Sequence, residues 1–329
     1  MNIGIVGLGF MGASHLDAYS VLPGACVSAV CTQDERRLSG DLRSVGGNIA
    51  RQKSTYDFSN TNKYAHWREL VLDPAVHIVD ICLPTDLHAP VAIAGLTAGK
   101  HVLCEKPMAL TTADCDRMIS TAEQQNRILM IGHVLRFWPE YVFLQKFVES
   151  ADYGPVRSAT FLRSCGLPDW SKWLLIEARS GGAILDLLIH DIDQILRLFG
   201  MPQRVAAKPL GTVDGLMATL IYPGGPEVRL QGGWFLPGAA LQMTFQIRVD
   251  RAELDLTSEG LFLSDTAGNR SAVEVLREDG YHAQIRYFLD CCQNGKQPER
   301  CPPRASAEAV RLALLLKQSR AANGETITT

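Results

Sequence analysis

Gly7-Leu8-Gly9-Phe10-Met11-Gly12 decides the fold of this chain. The stretch follows the apolar run Asn2–Val6 and opens a helical pattern over 12–21. A G-x-G-x-x-G turn between strand and helix gives each glycine a task. Gly7 permits the tight turn, Gly9 lets backbone approach a pyrophosphate, and Gly12 lets the helix pack close to the strand. Free N–H groups and the dipole at the helix start suit phosphate. Within ten residues of the N-terminus, between strand and helix, the motif points to a dinucleotide, with Phe10 and Met11 in the same contact.

Working outward, short apolar runs alternate with helical patterns through the first 130 or so residues. Strands are expected over 26–31, 78–83, 101–104 and 128–131, and helices over 67–72, 90–98 and 111–125. Gly99 supplies a C-terminal stop. Alternation of this kind implies parallel βαβ units with right-handed crossovers. The pattern changes near Gly132. A helix over 143–150 is followed by strand-like stretches at 156–164, 204–208, 216–222, 227–234, 243–249 and 252–256, joined by turn-rich pieces. One helix, 182–199, interrupts them, and a last helix covers 305–322. The expected fold class is α/β plus α+β. An N-terminal Rossmann domain (1–132) precedes a substrate-binding and oligomerisation domain (133–329) on an open, mostly antiparallel sheet. The last helix is a candidate to pack back on the first domain.

A unit of this kind that binds NAD carries an acid about 20 residues beyond the glycines, on the ribose hydroxyls. Here the second strand ends at Cys31 and is followed by Thr32 and Gln33. Asp34 and Glu35 come later, then Arg36 and Arg37. Without an acid in the slot a 2′-phosphate meets no repulsion, and Arg37 is a candidate partner for it. The cofactor is NAD or NADP, with a lean toward NADP. The bland alternative is that Arg36 and Arg37 solvate a helix start.

Three segments carry the chemistry: the glycine turn, Glu105-Lys106-Pro107 after the strand at 101–104, and 181–191, which holds Asp186 and His190. Lys106 stands just past a strand's carboxyl end, where open α/β sheets put ligands. Pro107 restricts its backbone. Asp186 and His190 are four apart on an expected helix and share a face. His190 titrates near neutrality and suits acid/base work. Together with Pro84-Thr85-Asp86-Leu87-His88 and the Gly99-Lys100-His101-Val102 approach, these segments resemble the glucose–fructose oxidoreductase / inositol dehydrogenase / rhizopine catabolism (Gfo/Idh/MocA) family over nearly the whole chain. Thr32 departs from members with an acid at that position.

The resemblance implies hydride transfer between nicotinamide and a secondary alcohol or ketone carbon of a sugar, cyclitol or related polyol. Lys106, Asp186 and His190 are then the catalytic candidates. His190 is the principal acid/base and Lys106 holds the reacting oxygen. Pro84, Thr85, His88, Glu105 and Lys106 join the cofactor contacts, with His88 closing over the nicotinamide side. His133, Arg136 and Trp173 are substrate candidates, weighed against interface or core packing. His15 and His101 read as structural. Two alternatives remain open. One is a non-catalytic dinucleotide sensor. The other is tightly bound NAD used transiently in hydrolysis or epimerisation.

Bulk properties fit a globular protein, with a 47% hydrophobic and 20% charged composition. The net charge of −3 gives no field toward nucleic acid or an anionic membrane. No run approaches the roughly 20 apolar residues of a spanning helix, and no secretory signal is read. Nine cysteines without C-x-x-C spacing read as buried thiols in a reducing compartment, with no metal. The expectation is a cytoplasmic homodimer or homotetramer.

Overall fold

β1, Asn2–Val6, is buried from Ile3 onward and forms the middle of a parallel sheet. The computed structural model to which it belongs describes residues 1–47 and 54–329. The chain divides into two units: residues 1–134 with 279–307, and residues 135–278 with 308–329.

In the first unit, β2 (Cys26–Cys31), β3 (Asn62–Tyr64), β4 (Ile78–Ile81), β5 (His101–Glu105) and β6 (Leu129–Gly132) join β1 in the order β3-β2-β1-β4-β5-β6. All pairs are parallel. This is the strand order of a Rossmann sheet. β4 and β6 are buried throughout, as expected of strands covered on both faces, which explains why they are apolar but for Asp80 of β4. The connecting helices are α1 (Phe10–Val21), α2 (Glu35–Leu38), α3 (Trp67–Leu72), α4 (His88–Thr97) and α5 (Thr112–Gln124). Gly99, at φ +76°, follows α4 and ends it as expected. The Thr111 hydroxyl caps α5 by accepting the Asp114 N–H at 3.1 Å.

The second unit carries α6 (Pro139–Ser150), β7 (Val156–Gly166), α7 (Glu177–Ser180), α8 (Ala183–Asp186) and α9 (Ile189–Phe199). Then come β8 (Arg204–Leu210), β9 (Asp214–Ile221), β10 (Glu227–Phe235), β11 (Gln242–Val249), β12 (Ala252–Thr257), β13 (Gly260–Asp265) and β14 (Arg270–Ala272). α10 (Gly280–Asn294) belongs to the first unit and packs on α1. α11 (Pro303–Ala321) follows, with the division between units inside it, and β15 (Ile327–Thr328) ends the chain. Nine strands form one sheet in the order β14-β13-β12-β11-β7-β10-β9-β8-β15. Only β7 and β10 pair in parallel. Alternation sets its faces: Phe245, Ile247 and Val249 of β11 are buried, whereas Gln246 and Arg248 are exposed.

Two differences from the sequence expectation bear on function. α6 starts at Pro139 rather than 143, with proline at the first helical position. The helix expected over 182–199 is broken. The N–H groups of Leu187 and Leu188 both donate to the Ala183 carbonyl at 2.9 Å. The bond from Leu188 spans five residues, a π-type widening. Both leucines are buried, so the apolar run hides the break. Asp186 ends α8 and His190 is the second residue of α9, so they do not lie on one uninterrupted helical face. Among the described residues, no helix is long and apolar enough to cross a membrane.

Candidate active site

The glycine turn is closed toward the protein and open outward. Gly7 has φ +101°, and a Cβ there would stand 2.3 Å from the Cys82 carbonyl oxygen. A Cβ on Gly12 would stand 1.9 Å from the Gly7 oxygen. Around Gly9, by contrast, nothing lies within 4 Å of that position. Gly9 precedes α1 without a side-chain cap. The first N–H groups of α1 are therefore directed at whatever lies over Gly9. This cradle fits a pyrophosphate. Met11 is half-buried, and the Phe10 ring packs where a Cβ on Gly47 would fall, 2.1 Å from its Cδ2. Gly12→Ala is expected to cost about 1–3 kcal/mol through overpacking. It should also abolish NADH binding, as read by nucleotide fluorescence alongside a thermal melt.

At the carboxyl end of β2, the Thr32 hydroxyl accepts the Asp34 N–H at 3.3 Å. Gln33 is exposed. Asp34 caps α2, with Oδ1 accepting from the N–H groups of Arg36 and Arg37 at 3.0 and 3.2 Å. Its Oδ2 lies 3.2 Å from Arg37 Nε. Arg37 also donates from Nη1 to the Leu8 carbonyl at 3.4 Å, inside the glycine turn. Arg36 turns instead to Asp41, exposed.

The loops after β4 and β5 meet on the same edge. His88 is buried, with Nδ1 at 2.7 Å from the Pro107 carbonyl and Nε2 at 2.9 Å from that of Leu83. Burial holds its pKa below the usual imidazole range, partly offset by those two carbonyls. The ring lies between the two loops, and as a neutral imidazole it donates its one N–H to one of the two carbonyls. Thr85, beside Pro84, is buried with no hydrogen-bond partner for its hydroxyl. Glu105 is buried, and Lys106, next in the chain, is half-buried. Glu105 Oε2 accepts the Lys106 backbone N–H at 3.3 Å.

His133 is buried in the first unit, after β6. In the second unit, Asp186 and His190 are both half-buried. Their neighbours on α9 are anchored. Asp193 receives Arg136 at 2.7 Å from Nη2 and 2.9 Å from Nε. Asp191 receives Arg163 of β7 at 2.6 Å from Nε and 3.0 Å from Nη2, and the same guanidinium donates to Tyr141 Oη at 3.1 Å. Burial opposes the Arg163 charge, but Asp191 and Tyr141 outweigh it and push its pKa up. Arg136 is thus committed to a buried carboxylate. Trp173 packs partly buried against Cys165, Leu174, Ala183, Leu187 and Trp234. Sequence reading missed Arg163, although a signal existed: it occupies the apolar register of β7 with Ala159 and Phe161.

A glycine-cradled α1, a capped second loop and a lysine at the end of β5 define a dinucleotide-binding oxidoreductase site, and the chain belongs to the Gfo/Idh/MocA oxidoreductase family. Residues 1–133 match its NAD-binding Rossmann fold and residues 141–255 its C-terminal domain. The chain is 31% identical to the myo-inositol 2-dehydrogenase of Thermotoga maritima over an alignment of 339 positions, gaps included, that covers 96% of this chain and 94% of that one. It is 30% identical to the levoglucosan dehydrogenase of Pseudarthrobacter phenanthrenivorans over 241 residues, 71% of this chain but only 57% of that enzyme's length. The solved structure of a levoglucosan dehydrogenase in complex with NADH and levoglucosan superposes with a TM-score of 0.84 at 20% identity, covering 100% of this chain and 99% of that one.

Proposed function

We propose that this chain moves a hydride between a nicotinamide cofactor and a secondary alcohol or ketone carbon of a sugar, cyclitol or related polyol. The observation that carries the reading is Lys106, set at the carboxyl end of β5 directly after buried Glu105, on the sheet edge that also bears the Gly7–Gly12 cradle. The names of the inositol and levoglucosan relatives support the polyol class.

Nicotinamide, when bound, would supply the hydride chemistry. In the oxidative direction the substrate hydroxyl must lose its proton as the carbonyl forms, and His190 is assigned as the base that receives it. Lys106 donates to the reacting oxygen and holds it. Asp186 orients a substrate hydroxyl or the His190 ring. Thr85, with its buried hydroxyl, and Pro84 border the cofactor beside Lys106. His133 and Trp173 are assigned to the sugar, whereas the geometry of Arg136 makes it an anchor for α9.

Reduced-cofactor absorbance with myo-inositol, levoglucosan and simple aldoses, with Lys106→Ala as control, tests this reading. Tight cofactor binding without turnover would favour a sensor. Cofactor that survives purification would favour transient oxidation in hydrolysis or epimerisation.

For the cofactor's 2′ position we assign NADP ahead of NAD. Asp34 is occupied in capping α2 and pairing with Arg37, so no unpaired acid meets the ribose, and Arg37 lies beside the glycine turn. A charge-assisted contact is worth about 1.5–3 kcal/mol. Arg37→Ala is therefore expected to weaken NADPH binding by about 10–100-fold and NADH binding hardly at all. Tighter wild-type binding of NADH than of NADPH would reverse the assignment. For assembly, the open sheet face, with Leu162 half-buried and Met217 half-exposed, supports a homodimer or homotetramer, and a monomeric mass in light scattering would count against it.

A further inference from the structure

Beneath the cradle lies a buried chain of ionisable groups that the mechanism does not use. His15 of α1 has no solvent exposure. Its Nδ1 is 2.8 Å from Asp80 Oδ2, and its Nε2 is 3.2 Å from Glu105 Oε1. Asp80, in the middle of β4, also accepts the Tyr19 hydroxyl at 2.9 Å and the Cys82 thiol at 3.6 Å. A charged residue inside an all-buried strand needs such partners. Glu105 divides its oxygens, with Oε1 toward His15 and Oε2 on the Lys106 N–H. Gly132 makes room for that carboxylate, since a Cβ there would stand 2.7 Å from Glu105 Oε1.

We propose that His15 is a positioning residue for Lys106: braced by Asp80, its ring fixes the Glu105 carboxylate, and Glu105 in turn fixes the backbone from which Lys106 projects. The proposal rests on the role assigned to Lys106. The electrostatics agree. Burial opposes an imidazolium at His15, but Asp80, 2.8 Å from its Nδ1, outweighs it and holds its pKa well above the usual range. Burial would raise Glu105, but the close charge of His15, with Lys106 and His88, keeps it low. Burial lifts the Cys82 thiol to about 12, so it stays protonated and serves as a donor. His15, Asp80 and Cys82 also bring potential metal-ligand atoms within 4.8 Å of one another; an imidazolium at His15 would have no lone pair to give a metal.

Three readouts test the proposal on the full chain. In histidine-labelled NMR spectra, the signal lost in His15→Gln should be that of an imidazolium at neutral pH. Glu105→Gln should lower its titration midpoint by about one pH unit or more. A neutral His15 at pH 6, or one that binds added zinc, overturns the proposal. After reductive 13C-methylation, the Lys106 signal, assigned by its loss in Lys106→Arg, should move in His15→Gln. It should move no further in His15→Gln with Glu105→Gln than in Glu105→Gln alone. Additive shifts, or none, overturn it. With a polyol that is turned over, His15→Gln should lower kcat about 10-fold while NADH binding stays within about twofold. Unchanged kcat overturns it. If no polyol is turned over, the reading of the site fails, and the two spectroscopic signals still decide on His15. Should His15→Gln not fold, Asp80→Asn, which keeps the ring, takes its place.

Discussion

Arg163→Ala is expected to destabilise the second unit by about 3–5 kcal/mol, because it leaves Asp191 buried with its main counter-charge gone. At about 2–4 °C per kcal/mol for a unit of this size, that is a fall of roughly 6–20 °C in its melting temperature. The pair itself need not be a net gain. Two charges at 5% and 0% side-chain exposure pay heavily for desolvation. The double variant Arg163→Met with Asp191→Leu should therefore recover most of the loss. Calorimetry of both variants checks this. A single variant that melts like wild type, or a double variant as unstable as the single, contradicts the account. The double variant also asks whether α9 keeps its seat, since Asp193 and Arg136 remain.

Lys106→Ala is expected to lower kcat/KM by about 100- to 1,000-fold, the usual cost of removing one donor to the reacting oxygen. NADH affinity should stay within about twofold, because the cradle at Gly7–Gly12 and the Thr32–Arg37 segment are untouched. Lys106→Arg should not restore turnover: a guanidinium is larger and planar, and its fork of donors does not fit where a compact ammonium holds the reacting oxygen. Steady-state kinetics beside a binding titration separate the two effects. Equal losses of binding and turnover would move Lys106 out of the chemistry and into the cofactor contact.

The first sheet was legible because its strands are apolar runs closed by glycine and proline, and its turn needs glycines that nothing else replaces. β3 was not, since Asn62-Lys63-Tyr64 is a polar, largely exposed edge. The break between α8 and α9 was hidden by leucines that read as continuous helix. Neither the return of 279–307 to the first unit nor the contacts that hold it could be read locally. The Cys301 thiol donates to the Ile131 carbonyl at 3.1 Å across 170 residues. His88 was singled out for the nicotinamide side, but its two carbonyl partners depend on where the chain brings Leu83 and Pro107. His15 read as structural; its reach to Glu105 appears only when α1, β4 and β5 are side by side.

The division of the chain into interleaved segments limits how this architecture can be taken apart. A cut after residue 134 would strand α10 and the Cys301 anchor of β6 with the wrong half. A cut before residue 308 would remove β15, which pairs with β8 through Ile327 and Val205. Each unit waits for sequence-distant chain before its sheet or its helix layer is complete, so contact order is high and folding correspondingly slow. Recombination that swaps a contiguous half of the gene would break both units at once. Replacement of part of the second unit alone is therefore left to exchanges within 135–278, a single uninterrupted stretch of chain.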